Sequence, residues 1–200
     1  MPATIRSLGP QIKTENLVFQ RIRNWLFLLG TAALTLVADG ASKWLITQNL
    51  AQNQTWHPPI PLVQRIFSVT YTTNSGAAFG LFPDQGVLFA FIAIVVVMAI
   101  ILYYRHIPTG YDLARLALGL QLGGALGNLI DRLRQGFVVD FIDLNFWPLH
   151  NWPVFNLADS AIVVGVGILA IAMLREDVKD RDREAESPET DAAGEPSTPS

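Results

Sequence analysis

Cysteine is absent from this chain. That excludes a disulfide framework, a thiolate nucleophile and any cysteine-held metal or cluster. Histidine is scarce. His57, His106 and His150 are the three, and no His-Glu-x-x-His pattern offers zinc a ligand set. Charge is scarce as well: 16% of the residues are charged, while half are apolar. With a mean hydropathy of +0.33, the composition is that of a membrane protein rather than of an ordinary soluble domain. There is no basic stripe of the kind that binds nucleic acid, and no internal repeat.

The charges that are present are unevenly placed. From Arg175 to Ser200 there are nine acids and four bases, a net of −5, so the formal charge of −3 leaves +2 for everything before. Five acids of that earlier part, Asp39, Asp131, Asp140, Asp143 and Asp159, lie in or beside apolar segments. A carboxylate inside or next to a membrane span is costly and usually has a task.

Four apolar segments stand out, at about 25–46, 86–104, 113–130 and 155–174, each near the roughly 20 residues a helix needs to cross a bilayer. In hydrocarbon each must be helical, because every backbone group needs an internal partner. The expected architecture is a mainly α, four-helix transmembrane bundle. Lysine and arginine gather in and just after the N-terminal arm of 1–20 (Arg6, Lys13, Arg21, Arg23), in the Arg105–Arg115 connection and in the tail. The positive-inside rule then expects both termini in the cytoplasm, with the connections at about 47–85 and 131–154 outside. The first segment is long, lacks a small-x-small cleavage site and carries Asp39 and Lys43. It reads as a retained helix, not a signal peptide. Phe67–Thr72 alternates like a half-buried strand and Phe137–Phe146 is β-rich, so a small sheet is expected over the outer end. Pro58, Pro59 and Pro61 break any helix before it. The tail, 176–200, is charged, then rich in Ser, Pro, Glu and Thr, and reads as disordered.

Five polar groupings carry the chemistry. Asp39 and Lys43, four apart, share a helix face; they form either a buried pair or an interfacial pair whose lysine snorkels to the headgroups. Asn74-Ser75-Gly76-Ala77-Ala78-Phe79-Gly80 reads as a tight turn that permits close backbone approach to a ligand. A serine nucleophile at Ser75 would need a histidine or lysine base, and His57, His106 and His150 all fall in connections or at segment ends, so that reading is weak. In Gly123-Gly124-Ala125-Leu126-Gly127-Asn128, Gly123 and Gly127 form a small-xxx-small packing face. Asn128 and Arg132 share a helix face; Arg132 is suited to hold a substrate carbonyl or headgroup, or to brace nearby carboxylates, a bracing role that fits Asp131 better. Asp140 lies in Gly136-Phe137-Val138-Val139-Asp140-Phe141, where it alone reads as a strand cap or as the acceptor of a backbone amide. Asn156 and Asp159 are three apart at the start of the fourth segment, where Asp159 alone reads as helix-start chemistry. Two acids that converge suggest acid–base work on a bound water.

Taken together, Asp39-x-x-x-Lys43, Asn74-x-Gly76-Ala77-Ala78-Phe79, Gly123-Gly124-x-x-Gly127-Asn128-x-x-Asp131-Arg132, Val138-Val139-Asp140-Phe141 and Phe155-Asn156-x-Ala158-Asp159 resemble, in order over about residues 20–175, the bacterial signal peptidase II family. The resemblance implies an intramembrane aspartic endopeptidase of the bacterial plasma membrane, with four transmembrane helices and an extracytoplasmic β-rich cradle. It implies Asp140 and Asp159 as the catalytic pair, with Asn128, Arg132, Asn156, Asp39, Lys43 and Asn74 supporting the site or binding substrate. Its substrates are prolipoproteins whose cysteine carries diacylglycerol, its inhibitor is globomycin, and it uses no metal or cofactor. The aromatic insert at 145–152 falls where such proteins vary. Two other classes are weighed beside it. A proton-coupled transporter would use the buried charges as a pathway, but the acids gather at one end and Val87–Leu102 has no ionisable side chain. A structural subunit would use them only to pin helices.

Overall fold

The computed structural model describes residues 9–76, 85–108 and 110–186, with side chains from 18 to 175 in those stretches. Five α-helices and three strands follow one another among the described residues: α1 (Gly9–Asn49), β1 (Thr55–Trp56), α2 (Pro61–Gln64), β2 (Phe67–Asn74), α3 (Gly86–Tyr104), α4 (Asp112–Gln135), β3 (Val138–Leu144) and α5 (Leu157–Glu186), with a short 3-10 turn at Leu149–Asn151 before α5. Four of the helices are long and apolar enough to span a bilayer, which makes this a multi-pass membrane protein.

Hydropathy ranks these spans by position. α3 has the highest mean hydropathy, 3.0, with 11% of its span buried; α4 has the lowest, 1.3, with 67% buried. The least greasy helix is therefore the central one. It meets protein, not lipid, on most sides, so it does not need large apolar side chains. α1, α3 and α5 all pack against α4. Small residues allow the approach: a Cβ on Gly123 would fall 2.5 Å from the Ala32 carbonyl oxygen of α1. One on Gly124 would fall 2.5 Å from the Ala158 carbonyl oxygen of α5. The expected Gly123/Gly127 packing face is thus present, with Gly124 serving the opposite neighbour. Gly124→Val should lower the thermal midpoint in detergent by the equivalent of about 1–3 kcal/mol of overpacking. An unchanged midpoint would mean that α5 is free to move away.

The sheet has the order β1-β2-β3, antiparallel throughout. Phe67 pairs with Leu144 and Asn74 with Val138, with an irregularity between Val69 and Thr72. Both expected strand regions are found, and β1 is an addition too short to show in a pattern. The structure changes several boundaries. α1 starts at Gly9, inside the stretch read as an arm, because nothing between Pro10 and Trp25 breaks a helix. Pro61 starts a single helical turn instead of only ending one, since its missing N–H is no loss at the first position. α4 continues to Gln135, so Asp131 and Arg132 lie on its last turns and not in a connection. It ends where Gly136 takes φ +83°, a left-handed conformation that glycine adopts without strain. α5 runs to Glu186, past the expected end at 174, through residues with good helix propensity and no proline before Pro188. Of the tail read as disordered, 176–186 is therefore helical and 187–200 lies outside the described residues. Ala77, Ala78, Phe79 and Gly80 lie outside them too.

Candidate active site

The site is assembled where β3 meets the start of α5. Phe155 bridges to Ile142 of β3, its N–H donating to the Ile142 carbonyl at 3.1 Å, and its carbonyl accepts from the Ile142 N–H at 2.7 Å. That short pairing delivers the next residue, Asn156, beside Asp140, which sits two positions earlier on the same strand. Asn156 then opens α5 as a capping box. Its side-chain oxygen accepts from the Asp159 N–H at 2.9 Å, and the Asp159 carboxylate accepts from the Asn156 N–H at 3.2 Å. Helix-start chemistry and a shared polar site are therefore one geometry, not alternatives.

Asn156 is fully buried, and its amide serves the other acid too: Nδ2 donates to Asp140 at 2.7 Å. One asparagine thus holds both carboxyl groups, one through its side chain and one through its backbone. Asn74, diagonal to Asp140 across the β2–β3 pair, donates from Nδ2 to the second Asp140 oxygen at 3.1 Å. The Gly76 N–H donates to the Asn74 side-chain oxygen at 3.0 Å, which fixes the amide with its NH2 toward Asp140. Asn128, on α4, donates to Asp159 at 2.7 Å. Its own oxygen accepts from Asn156 at 3.2 Å and from Lys43 at 3.0 Å.

Asp39 and Lys43 stand behind this layer. Both are buried, with 1% and 4% exposure, so Lys43 does not snorkel. Lys43 pairs with Asp39 at 2.7 Å and with Asp131 of α4 at 2.8 Å. The other Asp39 oxygen accepts from the Ala158 N–H at 2.9 Å, satisfying an open donor in the first turn of α5. Gly127 leaves room for this carboxylate; a Cβ there would lie 2.6 Å from it. Asp131 is thus the bracing residue, as expected. Arg132 takes a different position. Its guanidinium donates to the Gly76 carbonyl at 3.3 Å and lies 5.6 Å over the Phe89 ring, while Nε has no partner among the described residues.

The two acids differ in surroundings. Asp140 is 2% exposed and Asp159 half-buried. Burial, reinforced by the neighbouring Asp159 charge, raises the Asp140 carboxyl to about 7 against the pull of the Asn74 and Asn156 amides. Both acids line a cavity of about 480 Å³ together with Asn74, Arg132 and an apolar wall that includes Trp152, Phe155, Val163 and Val164. The cavity is largely apolar with a few convergent polar groups, the form of a ligand site. All eight residues singled out in the sequence are in this region and linked: an unbroken chain runs from Asp39 through Lys43, Asn128 and Asn156 to the two acids, Asn74 joins it at Asp140, and Arg132 donates to the Asn128 carbonyl at 3.4 Å. The apolar wall was not foreseen: Val163 and Val164 look like any lipid-facing pair in an apolar run. Among the described residues no cluster of His, Asp or Glu forms a metal site. Asp143, the remaining acid of the apolar regions, is tied into the sheet by Thr70 at 2.8 Å.

Comparison with known proteins bears directly on this arrangement. The family model described as signal peptidase (SPase) II matches residues 31–175. A lipoprotein signal peptidase of Moorella thermoacetica is 47% identical over 148 residues, covering 74% of this chain and 92% of that protein. One of Geobacter metallireducens is 43% identical over 148 residues, covering 72% and 88%. A bacterial membrane enzyme solved in meso at 2.3 Å resolution superposes with a TM-score of 0.67 at 29% identity, covering 80% of this chain and 93% of the other. The matched span begins within α1 and ends with the apolar part of α5, so it holds every residue of the site just described. The chain belongs to the signal peptidase II family.

Proposed function

We propose that Asp140 and Asp159 are the catalytic pair of an aspartic endopeptidase, and that the chain removes signal peptides from diacylglyceryl-modified prolipoproteins by cutting on the amino side of the lipidated cysteine. The observation that carries the reading is the bridging of both carboxyl groups by Asn156 at the edge of an apolar-walled cavity. Asp140, with its raised affinity for a proton, is the acid. Asp159, held by two N–H donors, is the base. Asp159 takes a proton from water as the water oxygen adds to the scissile carbonyl, and Asp140 gives its proton to the developing oxyanion. The tetrahedral intermediate then collapses: the C–N bond breaks, the cysteine nitrogen takes the proton from Asp159, one hydroxyl of the intermediate returns a proton to Asp140, and the signal peptide leaves as a carboxylic acid. Arg132, whose side chain lines the cavity, suits a backbone carbonyl of the bound substrate.

The bilayer holds the acyl chains and the signal helix against the bundle, which makes the attack nearly intramolecular. The positive-inside distribution supports cytoplasmic termini and a site near the extracytoplasmic face of the bacterial plasma membrane. Globomycin, an inhibitor associated with this family, is the ligand expected to compete for the cavity. Cleavage of a diacylglyceryl peptide by the purified protein, with and without globomycin, tests the reading; ion flux in liposomes without cleavage would replace it with a transporter.

A pH dependence follows. The pair needs one proton, and Asp140 holds it up to about 7. As pH rises through that value the proton is lost, so the single-turnover rate should fall about tenfold per pH unit beyond it. A rate still rising at pH 9 would remove Asp140 from the acid's role.

A further inference from the structure

The end of the bundle remote from the aspartates carries a second cavity, of about 630 Å³, between the N-terminal part of α1 and the connection from α3 to α4. Its floor is aromatic. Trp25 and Tyr104 meet edge to face at 4.5 Å, and the Tyr104 hydroxyl donates to the Asn24 carbonyl at 2.5 Å. Its wall is Arg115, 1% exposed, which donates to the Pro108 carbonyl and, at 3.5 Å, to that of Ile107, and pairs with Asp112 at 3.0 Å. Arg115 is thereby committed to folding the connection. The rim is different. Arg21, Arg105 and His106 are exposed, no carboxylate pairs with either arginine among the described residues, and no acid is among those that line the cavity.

We propose that this cleft binds the anionic headgroup of a membrane phospholipid, with its phosphate between Arg21 and Arg105. Three features favour an amphiphile over a free anion. The cleft lies at the ends of α1, α3 and α4, all of which are spans, and is therefore level with a membrane interface. Its Trp and Tyr are the side chains that occupy the headgroup layer. Its rim is cationic while the neighbouring α1 and α3 surfaces are apolar and exposed, with Phe19 and Leu102 among them, so one molecule can satisfy both. A phosphate free in water would gain only two exposed charges, which salt screens. Nothing in this proposal depends on the peptidase chemistry.

The test uses the full chain in nanodiscs of phosphatidylcholine containing a titrated fraction of phosphatidylglycerol, with lipid retention read by native mass spectrometry after transfer to detergent. The wild-type chain is expected to retain one phosphatidylglycerol in preference to phosphatidylcholine. That preference should fall about fivefold for each arginine removed in Arg21→Gln and Arg105→Gln, and the lysine replacements should keep most of it. In the wild type it should weaken as ionic strength rises. Equal preference in wild type and the double glutamine variant, or indifference to salt, would overturn the proposal. Displacement of the lipid by inorganic phosphate would overturn it in favour of a free-anion site.

Discussion

Replacing Lys43 with methionine is expected to cost about 3–5 kcal/mol of stability, the penalty for leaving a buried charge without its partner. The side chain is 5% exposed and stands between two carboxylates, at 2.7 Å from Asp39 and 2.8 Å from Asp131. Methionine keeps the stem and removes the charge, so the loss measures electrostatics and not volume. Two acids would then face each other across the α1–α4 interface, with Asp39 still bound to the first turn of α5. Adding Asp131→Asn to the methionine variant should return part of the stability, because one of the stranded charges is gone. Cleavage should fall further than stability alone accounts for, since Lys43 also holds the Asn128 oxygen and so aims its NH2 at Asp159. Thermal unfolding in detergent checks the first claim. A midpoint equal to wild type would mean that the cluster is solvated and carries no load.

Asp140→Asn and Asp159→Asn should each lower turnover by at least about 10³-fold, toward the upper end of what a positioned acid or base contributes. The two changes are nearly isosteric and leave the fold in place. Asparagine at 159 can still accept from the Asn156 N–H, so the capping box persists. Asparagine at either position has one oxygen for two donors, which now compete: Asn74 and Asn156 at 140, Asn128 and the Asn156 N–H at 159. Asp140→Asn should show the larger local disturbance because Asp140 is 2% exposed while Asp159 is only half-buried, although neither should change membrane insertion. Normal turnover by either variant would exclude that residue from the chemistry.

The sequence disclosed what was periodic or uniform. α3 occupies the expected 86–104 because an unbroken apolar run leaves nothing to decide. It misled where distant residues cancel a local signal. Asp131 and Arg132 looked like the start of a connection, yet α4 continues through them. The cost of Asp131 is met by Lys43, 88 positions earlier, and no local pattern reports that. The same pairing decides the Lys43 question, because the lysine has two acids within reach inside the bundle and no need of the headgroups. Asn156 and Asp159 were legible as a pair from their spacing, but that one asparagine would also reach Asp140 depends on the Phe155–Ile142 bridge. That bridge is a tertiary contact between ordinary apolar residues.

The central claim is that two carboxyl groups work as one unit on a single water. Single-turnover cleavage of a diacylglyceryl peptide by Asp140→Asn, Asp159→Asn and the double variant, each normalised to folded protein, tests it most directly. Members of a unit fail together, so the double variant should be no slower than the slower single variant. Losses that multiply would contradict the account, for they would mean two acids acting independently.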